Sequence, residues 1–327
     1  MKRILTLSLI SLSPLLITNC GSSSSSTTPN ISSSIPNDHT IPIERNSTTI
    51  DDTLLSNHKS DITLKFKLPN EIKETSGLIK VDNQLWTHND SGDKANLYQI
   101  DEESGKIIKS VTITNATNKD WEDITYDDTY VYIGEFGNNN GNRKDLKIYK
   151  ILRSDLKTET SITAETINFS YSDQTTFNDK NFDCEAMVAY QDKLYLFSKN
   201  WQNKKTRLYE LETTKGTHIA NYKETFNING LVTGATINKE LNILLLSTYS
   251  KTLNVNIWSF LNYSNSDFFS GDAKKLTLKT PLNAQIEGIT FIDKHKAYLS
   301  SESFSNTSYN ISLGNNLYEL DFSKEFE

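Results

Sequence analysis

An apolar–aromatic cassette recurs five times along the chain: Leu97-Tyr98-Gln99-Ile100, Ile148-Tyr149-Lys150-Ile151, Leu208-Tyr209-Glu210-Leu211, Ile257-Trp258-Ser259-Phe260 and Leu317-Tyr318-Glu319-Leu320. The aromatics stand 51, 60, 49 and 60 residues apart. Two further apolar runs precede each cassette. They are Gly77-Leu78 and Leu85-Trp86, Asp123-Ile124 and Val131-Tyr132, Ala186-Met187 and Leu194-Tyr195, Gly234-Ala235 and Ile243-Leu244, and Gly288-Ile289 and Ala297-Tyr298. A fourth run follows in four units, at Ile107-Val111, Thr166-Tyr171, His218-Phe226 and Leu276-Leu278. Short alternating runs rich in Tyr, Ile, Leu and Val, punctuated by Asn, Asp and Gly, are strand signals, and no segment carries a sustained helical period. Four strands per unit, repeated around a ring, is the propeller architecture. The chain is expected to be all-β, a five-bladed β-propeller of four-stranded blades. The fifth unit lacks a fourth run, while Ile62-Leu68 has no unit of its own, so strand 62–68 is expected to close the ring. Six blades is the alternative, but residues 61–327 leave no sixth cassette.

The N-terminal end follows other rules. Lys2-Arg3 is followed by an apolar stretch from Ile4 to Ile17, too short for a membrane-spanning helix. It ends in Leu16-Ile17-Thr18-Asn19-Cys20, which resembles the lipobox of bacterial lipoproteins. Residues 1–19 therefore read as a lipoprotein signal peptide. Cys20 is the expected lipidation site, its acyl chains (palmitate among them) holding the chain on a membrane. Residues 20–60, Ser/Thr-rich with Pro29, Pro36 and Pro42, bury too little apolar surface to order and read as a disordered tether. Residues 61–327 are the propeller domain. With Cys20 modified, Cys184 is the only thiol left, so no internal disulfide forms. The expected location is the bacterial cell envelope, lipid-anchored at the outer membrane. Thirty-four Lys and Arg against 41 Asp and Glu, a formal charge of −7, argue against a nucleic-acid partner.

The repeat also aligns polar residues. Just before each first-strand anchor stand Ser76, Glu122, Glu185, Thr233 and Glu287. Thirteen or fourteen residues later come Asn89, Glu135, Ser198, Ser247 and Ser301. The start of a first strand and the end of its antiparallel second strand share a face, so two polar rings converge at one mouth of the channel. At ~6 Å and an effective dielectric of about 20, each pair of carboxylates repels by roughly 3 kcal/mol. A hard divalent cation with oxygen ligands relieves that repulsion, and Ca²⁺ tolerates irregular geometry. Glu122, Glu185 and Glu287 are the expected ligands, helped by Glu135 and Asn89; the alternative is that these carboxylates pair with Lys199, Arg143 or backbone amides. Polar loops at the same mouth offer Asn89, Asp93, Asn138, Arg143, Lys199 and Trp201 as ligand-binding residues.

Four segments carry a family resemblance: Glu74-Thr75-Ser76-Gly77-Leu78, Leu85-Trp86 with Asn89-Asp90, Leu97-Tyr98-Gln99-Ile100-Asp101, and Asp120-Trp121-Glu122-Asp123-Ile124. Together they resemble the SdiA-regulated propeller family and other bacterial envelope propellers with Asn-Asp-Ser-Gly, Asp-Trp-Glu-Asp and Gly-Asn-Asn motifs. More distantly, the chain is similar to esterase-like phytase and SMP-30/gluconolactonase propellers. The close resemblance covers residues 70–152, and Asp123 stands where the family usually carries Gly. It implies fold and envelope location rather than an activity. No nucleophile elbow, His-Glu-x-x-His or P-loop is present in the sequence. The expected function is an envelope lipoprotein that presents a propeller face to a small ligand or an envelope protein, with a divalent cation at the channel mouth. The alternative is a metal-dependent hydrolase, a lactonase or phosphoesterase, with His88 or Asp90 as its base.

Overall fold

The computed structural model describes residues 43–45, 61–250, 254–278, 285–306 and 311–323. The chain divides into Met1–Thr40 and Ile41–Glu327, and the described residues all belong to the second unit. The signal peptide and Cys20 lie outside them, as does the tether apart from β1 (Ile43–Arg45). After β2 (Asp61–Lys67), the first repeat forms β3 (Thr75–Val81), β4 (Gln84–Asn89), β5 (Asn96–Ile100) and β6 (Ile107–Ile113). The second forms β7 (Trp121–Tyr126), β8 (Tyr130–Glu135), β9 (Lys147–Leu152), a two-residue β10 (Ser161–Ile162) and β11 (Glu165–Tyr171). The third forms β12 (Cys184–Tyr190), β13 (Lys193–Ser198), β14 (Thr206–Glu212) and β15 (Gly216–Phe226). The fourth forms β16 (Leu231–Asn238), β17 (Ile243–Tyr249), β18 (Val255–Leu261) and β19 (Asp272–Thr277). The fifth forms β20 (Ile286–Phe291), β21 (Lys296–Ser301), a small hairpin of β22 (Phe304–Asn306) and β23 (Ile311–Leu313), and β24 (Asn316–Asp321).

Within each repeat the main strands pair antiparallel in chain order, while β10 adds in parallel to β6 of the first repeat and β22 and β23 pair with each other. Two-residue turns with positive φ at both positions, Asp82-Asn83 and Gln191-Asp192, set the register of β3–β4 and β12–β13. The N-terminal strand β2 supplies the outer strand of the fifth unit, pairing antiparallel with β24. The second and third units share a nine-stranded sheet because β11 and β15 pair in parallel, and β1 adds in parallel to β15. β1 thus stitches a piece of the segment read as tether onto the third unit.

The first strands contact one another in cyclic order, β3 to β7 to β12 to β16 to β20 and back to β3. Among the described residues, five apolar clusters lie between consecutive units, each containing one cassette aromatic. Tyr98 packs with Leu78, Tyr298 and Leu317, and Tyr149 with Trp86, Trp121 and Val131. Tyr209 packs with Tyr132 and Phe169, Trp258 with Phe197 and Phe226, and Tyr318 with Leu245 and Ile257. The cassette recurs because every junction between units needs one large ring to fill it. The described chain is therefore all-β and propeller-like, with its core distributed between the units.

Candidate functional site

Each first strand carries a β-bulge at the same place. The ladder skips from Thr75 to Leu78, Trp121 to Ile124, Cys184 to Ala186, Val232 to Gly234, and Ile286 to Gly288. The skipped residues include Ser76, Glu122, Glu185, Thr233 and Glu287, the first polar ring. A bulge frees a residue from ladder pairing and re-aims its side chain. The second ring sits beside it, with Asn89 opposite Thr75, Glu135 opposite Trp121, Ser198 opposite Cys184, Ser247 opposite Gly234, and Ser301 opposite Ile286. All ten ring residues are buried.

Their chemistry divides by residue type. The hydroxyls are latches: Ser76 donates to the Glu122 carbonyl at 2.6 Å, and Thr233 donates to the Ile286 carbonyl at 2.6 Å, each spanning to the next first strand. Glutamates at the equivalent positions do otherwise. Glu185 meets the Lys199 ammonium at 2.5 Å, whereas no donor among the described residues reaches the Glu122 or Glu287 carboxylate within hydrogen-bonding distance.

Several mouth residues brace the scaffold. Glu135 accepts from Arg143 Nη2 at 2.6 Å and from the Lys119 amide at 2.8 Å. Arg143 also donates to the Gly137 carbonyl at 2.7 Å and to Asp145 at 3.1 Å. Asn138 donates its amide to Asp183 at 2.6 Å and its side chain to the Phe182 carbonyl at 2.9 Å, joining the second unit to the third. Asn89 donates to Asp93 and to the Glu71 carbonyl, and Asp93 also accepts from the Tyr98 hydroxyl. Asp123 receives the Met187 amide at 2.7 Å and the Ile124 amide at 2.8 Å, so this carboxylate in the bulge clamps adjacent first strands. Of the six expected ligand-binding residues, Asn89, Asp93, Asn138 and Arg143 are thus engaged in bracing. Lys199 and Trp201 face the acid cluster: the ammonium stands 5.0 Å from the Trp201 ring centroid, and the indole N–H donates to Asp183 at 2.7 Å. His88 is fully buried, edge-on to Trp121 at 5.5 Å, with Nδ1 3.1 Å from the Asn89 carbonyl. Burial lowers its pKa to about 4.

What remains is a dense acidic cluster around one lysine. Asp90, Asp120, Glu122, Asp183, Glu185, Glu287 and Glu302 are linked electrostatically, and Lys199 is the cation among them. Ligand oxygens of Asp90, Asp120 and Glu122 lie within 4.8 Å of one another. Burial first, then Glu185, Asp90, Asp120 and Asp183, raises the Glu122 carboxyl well above its usual range. Burial and Asp120 push Asp90 to about 7, against the Ser91 amide that it accepts. Glu287 and Glu302 rise to about 8, burial again leading and Lys199 opposing. Burial works against the Lys199 ammonium, but Glu185 and its acidic neighbours keep its pKa well above the ordinary lysine value. The backbone makes room for these oxygens: a Cβ on Gly137 would collide with Glu122 Oε1 and lie 2.6 Å from Asp120 Oδ2. Three mutually close carboxylates suit a hard divalent cation.

Asp120, Asp183 and Glu302 were not among the expected site residues. Two regularities mark them. Glu74, Asp120 and Asp183 each precede a first-ring residue by two positions, and Asp90, Lys199 and Glu302 each follow a second-ring residue directly.

The sequence matches no family model and no curated protein. Among solved structures, similarity is found to the PQQ-bound aldose sugar dehydrogenase of Streptomyces coelicolor, at 9% identity and a TM-score of 0.45, covering 80% of this chain and 98% of that one. A protein of unknown function from Dyadobacter fermentans matches at 10% identity and a TM-score of 0.42, covering 81% and 99% of the two chains. At these values neither bears on activity.

Proposed function

We propose that this chain is a five-bladed β-propeller that binds a ligand at one mouth of its channel through a divalent cation, Ca²⁺ by its oxygen donors. The observation that carries this reading is the convergence of Asp90, Asp120 and Glu122 within 4.8 Å, beside further buried carboxylates and a single lysine. The ligand set differs from the one expected from the Glu ring: Glu185 is paired with Lys199 and Glu135 with Arg143, so Glu122 serves with Asp90 and Asp120, and Glu287 acts from the second rank. The blade count rests on the cyclic contacts of five first strands and five inter-unit clusters. Envelope location, lipidation at Cys20 and kinship to the SdiA-regulated family rest on the sequence motifs.

The hydrolase reading would need Asp90 as its base, a role that competes with its place in the ligand set. His88, buried and neutral, is a poor base for bulk water. Elemental analysis of the purified chain, before and after EDTA, tests the cation. About one Ca²⁺ per chain, lost in an Asp120→Asn/Glu122→Gln variant, is expected; a chain that stays metal-free after equilibration with Ca²⁺ contradicts it. A panel of lactones and phosphate esters then separates binding from hydrolysis.

A further inference from the structure

A second cavity borders the acid cluster at Tyr249. A cavity of about 290 Å³ opens where the β13–β14 and β15–β16 connections meet the fourth unit, and Lys204, Tyr249, Asn254, Asn256, Lys275 and Thr277 contribute to its wall. No carboxylate is found among the described residues that line it. In a chain with 41 acidic and 34 basic residues, a concave wall with two lysines and no acid inverts the overall charge. Neither ammonium has an ion-pair partner among the described residues.

The wall is held by the fold. Lys275 pairs opposite Trp258 in the β18–β19 ladder, and its ammonium stands 5.8 Å from the Trp258 ring centroid, on the side facing the third unit. Lys204 adopts φ 57°; its amide donates to the Asn200 carbonyl at 2.9 Å and its carbonyl accepts from Gly230 at 3.2 Å, tying the two connections together. The Thr277 hydroxyl donates to Asn256 Oδ1 at 2.9 Å, which biases the Asn256 amide toward N–H donation. The chemistry offered is two positive charges with amide and hydroxyl donors, in a volume near the lower end of the ~300–1,000 Å³ typical of ligand pockets.

We propose that this cavity binds a small organic dianion, a phosphate monoester or a dicarboxylate. Charge-assisted hydrogen bonds from two ammonium groups match two negative charges, and the half-buried lysines are screened less than fully exposed ones. The site adjoins the mouth through Tyr249, which lines the cavity and carries Lys199 5.2 Å from its ring centroid. It does not depend on the cation reading.

Calorimetric titration of the purified chain in EDTA with glycerol 3-phosphate, succinate and neutral glycerol tests the proposal. At least one dianion binds, glycerol does not, and the tighter of the two names the class. Lys204→Gln and Lys275→Gln each weaken binding about tenfold or more, while Lys239→Gln, at an exposed lysine outside the cavity wall, leaves it unchanged; added NaCl weakens binding to the parent chain. Failure of both dianions to bind at up to about 10 mM overturns the proposal. So does binding that is indifferent to both lysine substitutions, or binding to the parent chain that is indifferent to salt, a readout that holds however either variant folds. Since EDTA is present throughout, these outcomes are independent of the cation.

Discussion

Glu122 and Glu135 sit on opposite sides of one bulge, and their partners give them different roles. Glu135 is neutralised by Arg143, with side-chain exposures of 2% and 9%, and behaves as a buried ion pair. Removing one member of such a pair leaves the other charge uncompensated, at a cost of about 3 to 5 kcal/mol. Arg143→Met is therefore expected to destabilise the chain by about that amount in denaturant unfolding. An effect below about 1 kcal/mol would mean that solvent screens the pair. Glu122, by contrast, has carboxylates for neighbours, so Glu122→Gln in the absence of metal is expected to raise the melting temperature or leave it unchanged. A fall in melting temperature without metal would point to a hydrogen-bond donor that holds the ionised Glu122. Lys199 is the internal counter-charge; with it gone, the cluster depends more strongly on an external cation.

At the scale of strands, the bulge and the cassette are two readings of one repeat. The cassette is legible in the sequence because an inter-unit junction demands a large apolar ring, and Tyr98, Tyr149, Tyr209, Trp258 and Tyr318 announce themselves by spacing. Tyr209 is fully buried among Tyr132, Tyr171 and Leu196, and Tyr209→Ala is expected to cost about 3 to 5 kcal/mol by chemical denaturation. The ring positions are legible too, but not which ring members brace the scaffold and which face other carboxylates. A serine and a glutamate at equivalent positions look alike as polar residues, and only the strand-to-strand distance turns Ser76 into a donor to the Glu122 carbonyl. Asn138 and Arg143 read as loop residues free for a ligand, yet tertiary hydrogen bonds consume their capacity. Gly288 lets the fifth unit approach the first closely: a Cβ there would lie 2.7 Å from the Ser76 carbonyl and 2.8 Å from Leu78 Cβ. Gly288→Ala is expected to cost about 1 to 3 kcal/mol through overpacking, read from the denaturation midpoint at unchanged slope.

For the whole molecule, the acidity is unevenly spread, since seven of the 41 carboxylates gather at one mouth, five of them buried and Asp90 and Glu302 half-buried. This has a consequence for stability against pH. Asp90, Glu287 and Glu302 have folded-state pKa values near 7, 8 and 8, against ordinary values of 3.8 and 4.5. The folded state binds more protons than the unfolded state between those limits, so stability falls as pH rises through the window. Metal-free protein is expected to melt at a lower temperature at pH 8.5 than at pH 5.5, and saturating Ca²⁺ to flatten or reverse the trend. A metal-free melting temperature that rises with pH would show that the cluster ionises without strain. The same linkage makes cation affinity rise with pH, because the ligands must lose their protons to bind. Calorimetric titration of Ca²⁺ into the metal-free chain, compared with Glu122→Gln, decides whether the carboxylate cluster holds a cation. One ion per chain, bound more tightly at higher pH and lost in the variant, is expected; no binding, or equal binding in both proteins, would rule the cation out.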